Sequence, residues 1–368
     1  MWAGVGDPTW DKDRFDRAVA SAGQLTHRVE VWSDTTQLTD AAPVEDGSVT
    51  DEWVTAGPRR KLTMTAPPTR DWLRWLGYPS LEIRPYLGLR ISRTVTMECP
   101  MGRYPLDPPE MTLPSSLITI QADDYGIYLS DADFTDKPNQ RPAGRITSAI
   151  GALIKGAGLP EPTVTASSTA QSGTVTVDAT RLDAIADAAR SVSAEVWADR
   201  LGQMTIADAA VLGSATSTIL TGTGGTAAGV NVKPDLADLF NVVSATSSAQ
   251  GIVFPAQIAS LGWSGHPAHP YKLGSITRPR RKVFHYASPL LMDAAQALAA
   301  ANTILARKAA LAGQVTYQAF PDPSRDAGDT VEGALIEGTQ LAQLKTVVHP
   351  FRAAYSTVTT VPTMLVAS

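Results

Sequence analysis

The stretch from Ser288 to Val331 constrains the fold most, because it passes from helix to sheet within one short run. Ser288 is a favourable N-cap, and Pro289 suits the first helical position, where a missing N–H costs nothing. The spacing predicts a helix over 289–312, with Leu291, Ala295, Leu298, Asn302 and Leu305 on one face and Ile304 and Leu311 widening it. Leu291, Leu298 and Leu305 are expected to be buried against a sheet. Ala297 and Ala301 are expected on a flank, free to meet a neighbouring subunit. Arg307 and Lys308 suit the negative end of the helix dipole, and Gly313 stops it. Val315, Tyr317 and Ala319 then alternate with Thr316, Gln318 and Phe320, as in a strand with two unlike faces. Pro321, Pro323 and Gly328 make a turn, and Asp329-Thr330-Val331 opens another strand.

The chain has 368 residues, more than one ordinary core holds, so two to four compact units are expected. Its 28 glycines and 26 prolines imply many turns and a β-rich fold. A net charge of −5 leaves no nucleic-acid footprint. Cys99 is the only cysteine, which excludes an intrachain disulfide and a cysteine-built zinc site. No apolar run approaches the ~18 residues of a membrane span. The first 22 residues carry Asp7, Asp11, Lys12, Asp13, Arg14 and Asp16 where a signal peptide needs an apolar segment.

Residues 1–24 read as an arm and a short helix, whose Trp2, Trp10 and Phe15 should dock on the chain's own body or on a neighbour. Residues 25–135 read as short strands, among them HRVEVWS, GSVTDEW, RRKLTMT, LEIRPYLGLRI and SSLITIQAD. Residues 136–235 change character. AGRITSAIGALIKGAG is a helix with Ile146, Ile150, Leu153 and Ile154 inward. Thr180 caps a second helix, in partial capping-box relation to Asp183, with Leu182, Ile185, Ala189 and Val192 as its buried face. AEVWADRLGQMTIAD is a hairpin turning at Asp199–Gly202. GSATSTILTGTGGTAAG reads as an exposed linker. Residues 236–350 hold the strand LFNVVSATSS, a polar excursion, the strand TRPRRKVFHYAS and the long helix. Residues 351–368 form a closing strand and tail.

The order of helix, VTYQAFPDP and GDTV resembles the second barrel domain of phage tail hub proteins. The order GSVTDEW…PRRKLTMT, LEIRPYLGLRI and ITIQADD resembles their first barrel, and the helix followed by EVWADRLGQMTI resembles their inserted α/β domain. The resemblance implies a β-rich α+β fold. It places two tail-tube-like small β-barrels at 25–135 and 236–350, with flanking helices and an α/β domain inserted at 136–235. It implies a homotrimer in the virion, at the tail tip or baseplate, made in the host bacterial cytoplasm. Six barrels from three chains would adapt a sixfold tube to a threefold tip. The implied partners are the distal tail or tail tube protein above, fibre, spike or further tip proteins below, and tape-measure protein in the lumen. DNA would pass through without sequence-specific binding. Any cell-wall hydrolase is expected on another chain. The rival readings are a carbohydrate-binding or glycan-cleaving tail protein stacking sugars on Trp72, Trp75 or Trp263, and the hub of a contractile injection or secretion spike.

Chemistry-bearing residue types yield no catalytic, cofactor or metal site. His266 and His269 lack a third ligand nearby. Asp322, Asp326 and Asp329 lack the calcium-loop pattern and read as turn-forming acids. Gly222, Gly224 and Gly225 lack the lysine of a phosphate loop. Arg278, Arg280, Arg281 and Lys282 read as a solvated strand face, with contact to DNA or an acidic partner as the sharper alternative. Cys99 reads as a small buried hydrophobe. The expectation is a protein without catalytic activity.

Overall fold

The computed structural model describes residues 24–362, save for 79, 91–95, 107–116, 135–138, 142–143, 173–174, 178–179, 211–213, 222–224, 233–239, 250, 262–276, 278–279, 311–313, 336–337 and 354. The N-terminal arm with Trp2, Trp10 and Phe15 lies outside the described residues, as do Gly222, Gly224, Trp263, His266, His269, Arg278, Leu311 and Gly313.

The fold is β-rich, with several sheets and few helices. Among the described residues the helices are α1 (Arg70–Trp75), α2 (Ile127–Asp131), α3 (Ile146–Gly156), α4 (Arg181–Ser191) and α5 (Ala294–Ala310). A five-stranded sheet runs Thr36–Thr39, Gln24–Ser33, Leu81–Arg90, Thr96–Pro100, with Tyr104–Pro105 also on Leu81–Arg90. Alternation along these strands sends Val29, Val31, Leu81 and Ile83 inward. They meet Val49, Leu62, Met64, Ile118 and Ile120 of a second sheet in one continuous core, which Trp72 of α1 completes.

That second sheet has nine strands. Its main path runs Ala227–Val232, Val315–Ala319, Ser356–Pro362, Gly338–Pro350, Asp46–Glu52, Arg60–Ala66, Ile118–Asp123. Thr330–Leu335 also pairs with Gly338–Pro350, and Ser217–Ile219 lies parallel to Thr330–Leu335. The 13-residue strand Gly338–Pro350 joins distant parts of the chain. Its residues 338–343 pair with Thr330–Leu335, whereas Thr346–Pro350 pair with Ser48–Glu52. Where the sequence leads to the expectation of two small barrels, no sheet closes into a barrel among the described residues; strands from both expected barrel regions share this one sheet. The supposed linker Gly213–Gly229 contributes two of its strands, because Ile219 finds a fully buried place beside Val331 and Tyr317. Glycine and threonine content alone could not reveal that register.

Between these parts sits an α/β unit. Helices α3 and α4 cover the strands Thr163–Val164, Met204–Asp208 and Ala194–Ala198. The predicted hairpin is present, with Val196 opposite Ile206 and Ala198 opposite Met204. Ile146, Ile150, Leu153 and Ile154 are buried as expected. Thr180 Oγ1 accepts the Asp183 N–H at 3.1 Å and donates to its carboxylate at 2.7 Å.

The long helix departs from expectation. It begins at Ala294, after Asp293, whose carboxylate accepts the Gln296 N–H at 2.8 Å. Asp293 directly precedes the alanine run and takes the capping role. Ser288 instead ends the strand Val283–Ser288 and donates to Asp187 at 2.7 Å. The buried face is Ala297, Ala300, Ala301, Ile304, Leu305 and Ala309. Leu298 is 39% exposed, whereas Ala301 is fully buried, so both assignments reverse. Small side chains let α5 lie close to Val243, Ala245 and Ala259 of a three-stranded sheet, Gln257–Ser260, Val242–Ser247, Val283–Ser288. The expectation that α5 packs against the sheet it leads into therefore fails: Val315–Ala319 joins the nine-stranded sheet, which has its own core.

Candidate functional site

The most concentrated chemistry in the described residues is a buried ionic cluster where the sheets and the α/β unit meet. Asp51 comes from Asp46–Glu52, Arg60 opens the next strand and Arg59 directly precedes it. Arg200 comes from the hairpin turn, and Asp322, Arg325 and Asp326 from the proline turn. Asp51, Arg59, Arg60, Arg200, Asp322 and Arg325 are all buried.

Arg59 grips Asp51 through two contacts, Nε to Oδ1 at 2.7 Å and Nη2 to Oδ2 at 3.3 Å. Such a fork is the strong form of this ion pair. The Ala327 N–H donates to Asp51 Oδ2 at 2.9 Å, and Arg59 returns a bond to the Ala327 carbonyl. Arg60 reaches Asp326 Oδ1 at 3.0 Å and the Ala198 carbonyl at 2.9 Å. Arg200 donates to the same Asp326 oxygen at 3.0 and 2.7 Å and to the Arg325 carbonyl at 3.0 Å. Its Nη1 lies 2.8 Å from Cys99 Sγ and also meets the Pro323 carbonyl. Asp124 accepts the backbone N–H groups of Arg59 at 3.1 Å, Arg60 at 2.8 Å and Gly126 at 2.8 Å. Gly126 is required at this contact, since a Cβ there would lie 2.5 Å from the backbone of Gly57 and Pro58.

Burial works against the charge on Asp326, but Arg200, Arg60 and Arg59 outweigh it and hold the carboxyl well below the usual range. Asp124 has the opposite balance: burial dominates its backbone hydrogen bonds and raises it to about 6. Burial also pushes the Cys99 thiol up to about 11, against the opposing pull of Arg200. His349 is lowered to about 4 by burial and by Arg200, so it is neutral at pH 7. Its Nε2 lies 3.2 Å from the Arg325 carbonyl. A carbonyl only accepts, so Nε2 carries the proton.

This arrangement holds elements together. Every carboxylate in it is engaged by arginine or backbone donors, and the one thiol is protonated and buried, which suits neither general base nor nucleophile. No group of three or more His, Cys, Asp or Glu side chains suited to a metal occurs among the described residues. No helix among them is long and apolar enough to cross a membrane.

Asp326 is thus a hub of the cluster rather than only a turn former, and Asp322 pairs with Arg325 at 3.5 Å. Trp72 and Trp75 are buried, packed edge to face at 5.2 Å, with Trp72 Nε1 bonded to the Pro43 carbonyl at 2.8 Å. Neither can serve as an exposed sugar platform. Arg280 and Arg281 are exposed, and Lys282 lies over the Phe240 ring at 5.5 Å. These basic residues precede the strand Val283–Ser288 rather than alternating within it. Sequence reasoning missed Asp51, Arg59, Arg60, Arg200 and His349. The adjacent arginines opening an apolar strand were a signal; Arg200, in a hairpin turn ordinarily exposed, gave none.

Neither any protein-family profile nor any curated protein sequence matches the chain. Solved structures do. The 43 kDa tail protein of prophage MuSo2 from Shewanella oneidensis is 12% identical with a TM-score of 0.60, over 91% of this chain and 98% of that one. The tail protein from Neisseria meningitidis MC58 is 11% identical with a TM-score of 0.64, over 91% and 96%. The prophage tail protein gp18 from Listeria monocytogenes EGD-e is 10% identical with a TM-score of 0.57, over 91% and 94%. The fold is that of phage tail proteins.

Proposed function

We propose that this protein is a structural component of a phage tail tip or baseplate, acting there as a hub. The observation that carries the reading is the agreement of fold with three tail proteins over 91% of the chain at so little identity. In this reading, residues 25–135 and 236–350 are the two tube-like units and residues 136–235 the inserted domain. Three copies form a ring whose six tube-like units face a sixfold tube above and a threefold tip below. The ring seats fibre or spike proteins and lines part of the path for DNA. Its role is mechanical, without catalysis, and the buried ionic cluster serves it by fixing the hairpin and the proline turn to the sheet.

Electron microscopy of intact particles carrying an antibody label on this chain tests the reading. Label at the tail tip in threefold arrangement is expected. Label along the tail shaft, on the capsid, or in a sixfold ring of this chain would overturn it. A dye-release assay on purified protein with peptidoglycan should show no activity; activity that persists through repurification and tracks the protein would refute the non-catalytic reading.

A further inference from the structure

A cavity of about 400 Å³ opens between α4, α5, the strand Val283–Ser288 and the strand Gly338–Pro350. Its walls include Trp53 and Phe284, and four cations, Arg190, Arg307, Lys308 and Lys345, converge on it. Glu195 pairs with Arg307. Among the described residues no carboxylate lies within ion-pair distance of Arg190, Lys308 or Lys345. This surplus of positive charge stands out in a chain whose net charge is −5.

The aromatic rings hold the cations in place. Arg307 lies over Trp53 at 4.9 Å, and Lys308 over Phe284 at 5.3 Å. Arg307 uses Nη1 on Thr55 and Nη2 on Glu195, leaving a buried Nε with no partner.

We infer that this cavity binds an acidic peptide segment of a partner protein, one that presents carboxylates around an apolar or aromatic side chain. The charge complementarity selects an acidic ligand, and the aromatic walls select an apolar body. A nucleic acid fits less well. Its recognition calls for basic residues strung along a surface, whereas these converge on one concavity.

The test uses the full-length protein and a fluorescein-labelled peptide of alternating glutamate and tryptophan, read by anisotropy. The peptide should bind, and more weakly as salt rises. A peptide with glutamine in place of glutamate should not bind. K308E combined with K345E should weaken binding by about tenfold or more, the scale of one lost charge contact. The exposed R190E provides an independent variant should the double change disturb folding, and it should weaken binding in the same direction. Absence of binding to the natural chain, equal binding of the glutamine peptide, or unchanged affinity in R190E would overturn the proposal. Displacement of the peptide by a short oligothymidylate would overturn it too, in favour of a nucleic-acid site.

Discussion

His349 shows how far one buried side chain can make this protein sensitive to acid. Its folded pKa is about 4 against an ordinary 6.5. Between those values the unfolded chain binds a proton that the folded chain refuses, so stability falls as pH drops from 6.5 to 4. The full effect is on the order of 3 kcal/mol. Asp124 acts in the opposite sense. Its folded pKa of about 6 lies above its ordinary 3.8, so its contribution is full below 3.8 and is lost as pH rises through 6. His349→Gln removes the first effect and leaves the second. Urea unfolding at pH 7.5 and pH 4.5 should therefore show the natural protein losing about 2.5 kcal/mol more than the variant over that interval, most of the full effect. Equal losses would mean that His349 does not titrate as its surroundings imply. Arg59 and Arg60 pose the complementary problem of legibility. In sequence they are two cations at the edge of an alternating strand. What buries them is Asp51, eight residues away from Arg59, and Asp326, 266 residues away from Arg60. Only the first of those partners lies within reach of local reasoning.

At the scale of elements, α5 exposes a specific error of inference. Leucine is more apolar than alanine, so apolarity alone puts Leu298 and Leu305 on the buried face, yet only Leu305 is buried. The sheet beneath is itself lined by small residues such as Ala245 and Ala259, and close approach decides the orientation. Ala301→Leu should then overpack this contact and cost about 1–3 kcal/mol. Leu298→Ala should cost less than about 1 kcal/mol, since Leu298 is 39% exposed. Thermal denaturation of the pair decides between the two faces; the reverse ranking would put Leu298 back in the core. By contrast, α3, α4 and the hairpin were readable, because each carries its own periodicity, and α4 its own N-cap at Thr180 as well. The linker misreading at Ser217–Ile219 has the same root as the α5 error. Its strand is fixed by a partner more than a hundred residues downstream, Val331–Gly333.

At the scale of the molecule, the ionic cluster joins segments that the sequence keeps far apart. Asp326→Ala would leave Arg60 and Arg200 buried without their shared carboxylate. Breaking a buried pair in this way typically costs about 3–5 kcal/mol. The expected result is a lower midpoint in urea with a single cooperative transition retained, since the cluster ties both sheets and the hairpin into one unit. If the variant instead unfolded in two separated steps, its parts would be more independent than this geometry allows. Replacing the whole cluster with well-packed apolar residues could leave stability intact, so the charges are better understood as specifying one arrangement of the parts than as the main source of stability.

The dual pairing of Gly338–Pro350 also sets the order in which the chain can be finished during synthesis. Ser48–Glu52 leave the ribosome early, yet their partners on one side, Thr346–Pro350, emerge some three hundred residues later. Through that interval one edge of Asp46–Glu52 has no native neighbour, although its other edge can already pair with Arg60–Ala66. An open edge of this kind invites pairing with another nascent chain. Slow translation of the middle of the message should accordingly lower the soluble yield more than slow translation of the last strand, because it lengthens the time that edge waits.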